Sequence, residues 1–247
     1  MICKNCGNIF EGHYCNNCGQ KSNVGRIGFL YLFEEVTNGV FQVNKGILYT
    51  IKALTISPGL TIREFIEGKR QKHFKPLSFL FIIASVYALS TYLLDINTTL
   101  GEFLSGILSA FESSENETIT VCVLNWMANH YAYSILIFMP FLSSASFLAF
   151  RGYNYFEHLV LNIYITGQQI LIYLLFSILF LFIDIDDSLL QLLPVALGVL
   201  YTLWTYCQFF EKKKTISKIL LTILTYIYYL IQLTLLLVLA VFVEMSL

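Results

Sequence analysis

The chain has 247 residues, of which 57% are hydrophobic and 13% charged, with a mean hydropathy of +0.68 and a net charge of -1. Soluble domains carry about 25% charged residues, so a soluble globular fold is excluded and most of the surface must face lipid. A net charge near zero also excludes a general basic or acidic surface for recruiting nucleic acid or acidic substrates.

The first twenty residues contain no apolar run of the kind a targeting peptide needs. They hold a repeated C-x-x-C-G unit instead, Cys3-Lys4-Asn5-Cys6-Gly7 and Cys15-Asn16-Asn17-Cys18-Gly19. Two residues between thiolates let both sulfurs reach one ion at about 2.3 Å, and the glycine tolerates the positive φ of a tight knuckle. Cys3, Cys6, Cys15 and Cys18 therefore predict one structural, four-coordinate Zn²⁺ per chain, with residues 1–23 forming a small zinc ribbon. A unit this small owes its fold to the metal. Two disulfides are the competing arrangement, and a cytoplasmic location, where thiols stay reduced, favours the metal. Only Lys4, Lys21 and Arg26 lie nearby, too few to track phosphates, so a protein-facing or purely structural ribbon is expected and nucleic acid is disfavoured.

Residues 24–76 read as amphipathic juxtamembrane helices. Ile27, Leu30, Phe33, Val36, Val40 and Phe41 recur near helical spacing, and Ser57-Pro58-Gly59 breaks the chain. Thr61-Ile62-Arg63-Glu64 has the form of a capping box that starts a helix at Ile62. Ile62, Phe65 and Ile66 form its apolar stripe. Arg63, Lys69, Arg70, Lys72 and Lys75 lie around its other faces and tail, where each can contribute about 1 kcal/mol of attraction to an anionic leaflet; plain topological anchoring is the alternative.

Three segments occur in order: C-x-N-C-G, then Y-C-x-x-C-G-Q-K at 14–21, then P-G-x-T-I-R-E-F-I-E-G-K-R at 58–70. Together they resemble a bacterial family of zinc-ribbon membrane proteins that carries only a domain-of-unknown-function name. The likeness covers roughly residues 1–95. It implies a bacterial inner-membrane location and a cytoplasmic ribbon, with no substrate or reaction.

From residue 77 onward five stretches lack Asp, Glu, Lys and Arg and are long enough to cross roughly 30 Å of hydrocarbon: 77–94, 131–150, 159–183, 189–210 and 219–243. Backbone groups in lipid have no water to bond, so each must be helical. The expected fold is an all-α polytopic membrane protein with about five transmembrane helices in residues 77–247. Ten of the fifteen Lys and Arg residues precede the first stretch; the rest are Arg151, Lys212, Lys213, Lys214 and Lys218. Basic residues in short loops stay in the cytoplasm, which predicts a cytoplasmic N-terminus and a C-terminus outside. The link at 95–130 holds acidic residues and no basic ones.

On the third stretch, His158, Asn162, Thr166, Gln169, Tyr173 and Ser177 follow at intervals of three or four, within an arc of about 100°. Such a stripe faces protein or water. Interhelical hydrogen bonding, at about 0.6 kcal/mol per bond, is the default reading; a polar cavity or solute path is the alternative. No stretch contains a carboxylate, Lys or Arg, which disfavours coupled ion transport. Hydrolase, metalloprotease and phosphate-loop motifs are missing from the sequence, so no enzyme is expected. The expected function is a non-enzymatic membrane scaffold or interaction module with a lipid bilayer around it, a protein partner at the ribbon, and a second copy of the chain as a further candidate partner. The alternative is a passive channel or carrier for a small neutral solute or a lipid.

Overall fold

A computed structural model describes residues 1–37, 46–94, 126–127, 130–182 and 192–246. Among these residues the chain forms eight α-helices and no strand: α1 (Phe29–Thr37), α2 (Ile47–Ile56), α3 (Pro58–Glu67), α4 (Pro76–Leu93), α5 (Tyr131–Ala149), α6 (Tyr155–Phe182), α7 (Leu193–Phe209) and α8 (Thr215–Ser246). The acidic link at 95–130 lies almost wholly outside the described residues.

Three helices, α4, α6 and α8, are long and apolar enough to cross a membrane, fewer than the five expected. For α7 the reason is length: its 17 residues rise about 25 Å, short of a hydrocarbon core of roughly 30 Å. In α5 the side chains from Tyr133 to Ala149 are described, and they form an apolar helical stretch. Residues 189–191, the expected start of the fourth stretch, lie outside the described residues.

The long helix α6 is the hub. It packs against α4, α5 and α7 and touches α2 and α3, while α8 sits across the group on α5 and α7. Leu161, Ile163, Tyr164 and Ile170 of α6 are fully or almost fully buried, and the Tyr164 ring meets Phe65 of α3 and Phe79 of α4 at 5.5 and 5.7 Å.

The juxtamembrane helices depart from the expectation in three ways. First, α3 begins at Pro58, not at Ile62. Proline has no N–H to leave orphaned in a first turn, and its fixed φ suits that position. Thr61 is therefore inside the helix, donating to Ala53 O at 3.2 Å, and the Glu64 carboxylate accepts from Lys69 at 2.6 Å.

Second, α2 and α3 do not simply lie along a surface. Their elbow at Ser57 is wedged against α6 and α7. Gln168 Nε2 donates to Thr55 Oγ1 at 2.8 Å, and Tyr201 O–H donates to Leu54 O at 3.0 Å. Tyr201 is two turns, about 12 Å, from the Phe209 end of α7. At the mouth of the wedge, Gly59 N donates to Gln208 Oε1 at 3.1 Å. A Cβ at Gly59 would lie 2.5 Å from Phe209 N and from Thr205 O, so only glycine fits this approach.

Third, the residues of the stripe read for α1 do not share one environment. Leu30 and Phe33 are 73% and 54% exposed, while Leu32 and Glu35 are buried and Ile27, also buried, precedes the helix. The side chain of Val36, and residues 40 and 41, lie outside the described residues. The carboxylate turned inward has a partner: Glu35 Oε1 accepts from Ser78 N at 3.0 Å and sits near Ser78 Oγ at 3.3 Å. That amide belongs to the first turn of α4, where helix N–H groups have no intrahelical acceptor.

Candidate metal centre and intramembrane polar network

The two C-x-x-C-G units fold as copies of one knuckle. Gly7 and Gly19 both take φ 73°, donating to Cys3 O at 2.9 Å and to Cys15 O at 2.8 Å. Cys3 N and Cys15 N donate to Asn8 O and Gln20 O, and antiparallel bridges join Ile2 to Ile9 and Tyr14 to Lys21. Positive φ is what L side chains avoid, so the glycine after each pair is required by the turn.

This symmetry brings the four sulfurs together. Cys3 Sγ lies 3.5 Å from Cys18 Sγ and Cys6 Sγ lies 3.6 Å from Cys15 Sγ, with all four within 4.8 Å of one another. A tetrahedron with metal–sulfur bonds of about 2.3 Å has edges of about 3.8 Å, so the cluster has the dimensions to hold one metal ion. The cysteines are free thiols. The amides of Cys6 and Asn5 point at Cys3 and lower its pKa. At Cys15, burial raises the thiol but the amides of Cys18 and Asn17 outweigh it, bringing it down to about 6. Burial pushes Cys18 up to about 11. His13 is not part of the cluster.

The ribbon is latched to the helices at two points. Gln20 Oε1 accepts from Arg70 N at 3.1 Å, and Arg70 Nη2 donates to Gly25 O at 2.9 Å. Arg26 grips Glu157 with two bonds, Nε to Oε1 at 2.7 Å and Nη2 to Oε2 at 2.8 Å. Glu157 also completes a reciprocal cap with Asn154: Asn154 N donates to Glu157 Oε2 at 2.7 Å, and Glu157 N donates to Asn154 Oδ1 at 2.8 Å. This N-x-x-E box at the start of α6 is a local signal that the sequence carries openly. Its use as the anchor for Arg26 is not local.

Three of the five cations read as membrane-surface residues have partners within the fold. Arg63 Nη2 donates to Gln208 O at 2.9 Å and to Glu211 Oε1 at 2.7 Å, so it staples α3 to the end of α7. Lys69 pairs with Glu64, and the Arg70 guanidinium lies over the Tyr31 ring at 4.6 Å. Lys72 is exposed and Lys75 half-buried.

Within the bundle, the polar stripe of α6 is largely spent on its neighbours. His158 is fully buried, its Nδ1 3.0 Å from Ser146 Oγ and its ring 5.8 Å from that of Phe210. Asn162 Nδ2 donates to Ser146 Oγ at 2.8 Å and to His158 O at 3.0 Å, and its Oδ1 accepts from Tyr206 O–H at 2.7 Å. Gln169 Nε2 donates to Gly198 O at 2.8 Å and Thr202 Oγ1 at 2.9 Å. Ser177 meets Tyr87 of α4. Ser146, Thr202 and Tyr206, the partners in this network, were not anticipated, because a lone hydroxyl in an apolar helix has no periodic signal.

Beyond Asn162 the stripe borders a half-open cavity of about 620 Å³ between α5, α6, α7 and α8. Thr166, Gln169 and Tyr173 line it beside Phe138, Leu142, Val199 and Leu237. Thus the His158–Asn162 end of the stripe is bonded to its neighbours, while Thr166, Gln169 and Tyr173 border a void.

Residues 44–88 are similar to the family described as "Protein of unknown function (DUF3667)", a region that takes in α2, the elbow, α3 and most of α4. No curated protein and no solved structure matches the chain. The wedge and the helix it leads into are therefore the part of the structure that the family likeness covers.

Proposed function

We propose that this is a multi-pass bacterial inner-membrane protein with five spans, α4 to α8, in which a zinc-loaded ribbon is held at the cytoplasmic end as a docking module for another protein. The observation that carries the reading is the two-sidedness of the ribbon. One side is tied down through Gln20, Arg26 and Arg70. The other presents Met1, Ile2, Ile9 and Tyr14, with Ile2 72% and Ile9 76% exposed, an apolar surface left uncovered among the described residues. Zinc suits an all-thiolate tetrahedron of structural type, which has no open position for chemistry.

Orientation follows from where the basic residues gather. Arg63 with Glu211 and Arg26 with Glu157 join the ribbon linker, α3, the α5–α6 turn and the α7–α8 turn at one end. The described Lys and Arg residues belong to segments at that end, as retention in the cytoplasm requires. The role is non-enzymatic: the four thiolates are fully used by one metal, and the Ser146–His158 contact is sealed inside the bundle. A passive path for a neutral solute has weaker support, because both Nδ2 hydrogens of Asn162 are taken by Ser146 and His158 and its Oδ1 already accepts from Tyr206.

Site-specific photo-crosslinking in cells tests the docking role. A crosslinker at Ile9 should capture a discrete protein, and capture should vanish in Cys3→Ser. Equal labelling from Ile9 and from Val24, which faces the bundle side of the ribbon, would end the proposal.

A further inference from the structure

The cavity among α5, α6, α7 and α8 points to a second activity, independent of the ribbon. Its wall runs along α8 from Thr225 to Ala240, about 22 Å, and along α6 from Asn162 to Tyr173, about 16 Å. One leaflet of a bilayer is roughly 15 Å deep in hydrocarbon. Spread over 22 Å, 620 Å³ leaves a cross-section of about 28 Å², room for one chain abreast.

The wall chemistry limits what fits. Among the described residues its lining has no Asp, Glu, Lys, Arg or His and is dominated by Ile, Leu, Val, Met and aromatic side chains. Asn162 and Tyr206, at the closed end, are bonded to each other, and the Gln169 amide nitrogen is bonded to α7. Water in this volume would number roughly twenty molecules at about 30 Å³ each, against a wall made mostly of apolar side chains. A charged solute would lose its hydration without compensation. The surrounding solvent, by contrast, is hydrocarbon at very high concentration.

We propose that this cavity binds a single long, uncharged hydrocarbon chain of a membrane lipid, inserted lengthwise between α6 and α8 with its end near Asn162 and Tyr206. Acyl and prenyl chains share this chemistry.

The test uses the full chain in phosphatidylcholine vesicles containing phosphatidylcholine spin-labelled near the end of one acyl chain. Wild type should immobilise one more labelled chain per protein than Thr166→Phe/Val199→Phe, which narrows the bore from two sides. Equal immobilisation in the two proteins overturns the proposal. Should the double variant fail to fold, mass spectrometry of gently purified wild type decides: one tightly held lipid per chain is expected, and its tail identifies the acyl or prenyl source, whereas a lipid-free protein refutes the site. Glycerol permeation through wild-type vesicles above that of empty ones would mean the bore holds water, and would likewise overturn it.

Discussion

Glu35 of α1 caps α4 from outside the helix, its Oε1 accepting the Ser78 amide at 3.0 Å, while its Oε2 is buried without a hydrogen-bond partner among the described residues. A carboxylate at a helix N-terminus is favourable in charge, but burial here outweighs that benefit and the pull of Lys75. The carboxyl is pushed from 4.5 up to about 7, and Oε2 is the natural place for the proton.

The sign of the resulting pH dependence follows from linkage. A group whose pKa is raised on folding stabilises the fold fully below its unfolded value and loses that contribution as pH climbs through the folded value. Stability in detergent should therefore fall between pH 4.5 and about 7 and level off above, by roughly 3 kcal/mol in total. Glu35→Gln, which keeps the acceptor and abolishes the titration, should flatten thermal unfolding across that window. A slope that survives the substitution would assign the effect to other groups.

Metal content is the next expectation. Purified protein should carry one Zn per chain by elemental analysis, and Cys3→Ser or Cys15→Ser should lose it. Metal binding in small ribbons is worth about 10–16 kcal/mol, so either change should unfold the ribbon outright. Protease cleavage near Arg26 should rise while the helical circular-dichroism signal of the bundle stays within error. Two metals per chain, or none in protein with intact disulfides, would defeat the four-thiolate assignment.

At the centre of the bundle, Tyr206→Phe removes the donor to Asn162 Oδ1. Interhelical hydrogen bonds in membranes average about 0.6 kcal/mol with a maximum near 1.7, and this acceptor is left buried and unpaired. A loss of about 1 kcal/mol in a detergent-denaturation titration is expected. Asn162→Leu, which breaks three bonds, should cost more, and a double-mutant cycle with Ser146→Ala should show coupling.

Gly59→Ala should separate α3 from α7, since the added methyl lands 2.5 Å from backbone atoms that cannot yield. Overpacking of this kind costs typically 1–3 kcal/mol. Disulfide trapping between cysteines placed at Arg63 and Glu211 should be efficient in an otherwise native background and should drop sharply with Ala at 59. Unchanged trapping would mean the wedge tolerates the methyl.

Topology reporters address the span count. Fusions in the segment between α4 and α5 and after α8 should report the outside, and fusions in the α5–α6 and α7–α8 turns the cytoplasm. A cytoplasmic signal after α8 would leave an even number of crossings and cancel the five-span arrangement.

Local chemistry by itself determined the cysteine cluster, the helix locations and the clustering of positive charge, because ligand spacing, apolar run length and loop charge are all properties of neighbouring residues. Tertiary structure alone decided the rest. Thr61-x-x-Glu64 has the form of a cap, yet Pro58 and the contact of Gly59 with α7 start the helix a turn earlier. Arg63 and Arg70 read as lipid-facing cations until the fold supplies Glu211 and Tyr31 as partners 148 and 39 positions away. The stripe from His158 to Ser177 was visible as periodicity, but whether each side chain is bonded or faces a void depends on Ser146, Thr202 and Tyr206 arriving from other helices. Periodicity fixes which face of a helix is polar; only the packing of one helix on another fixes what that face touches.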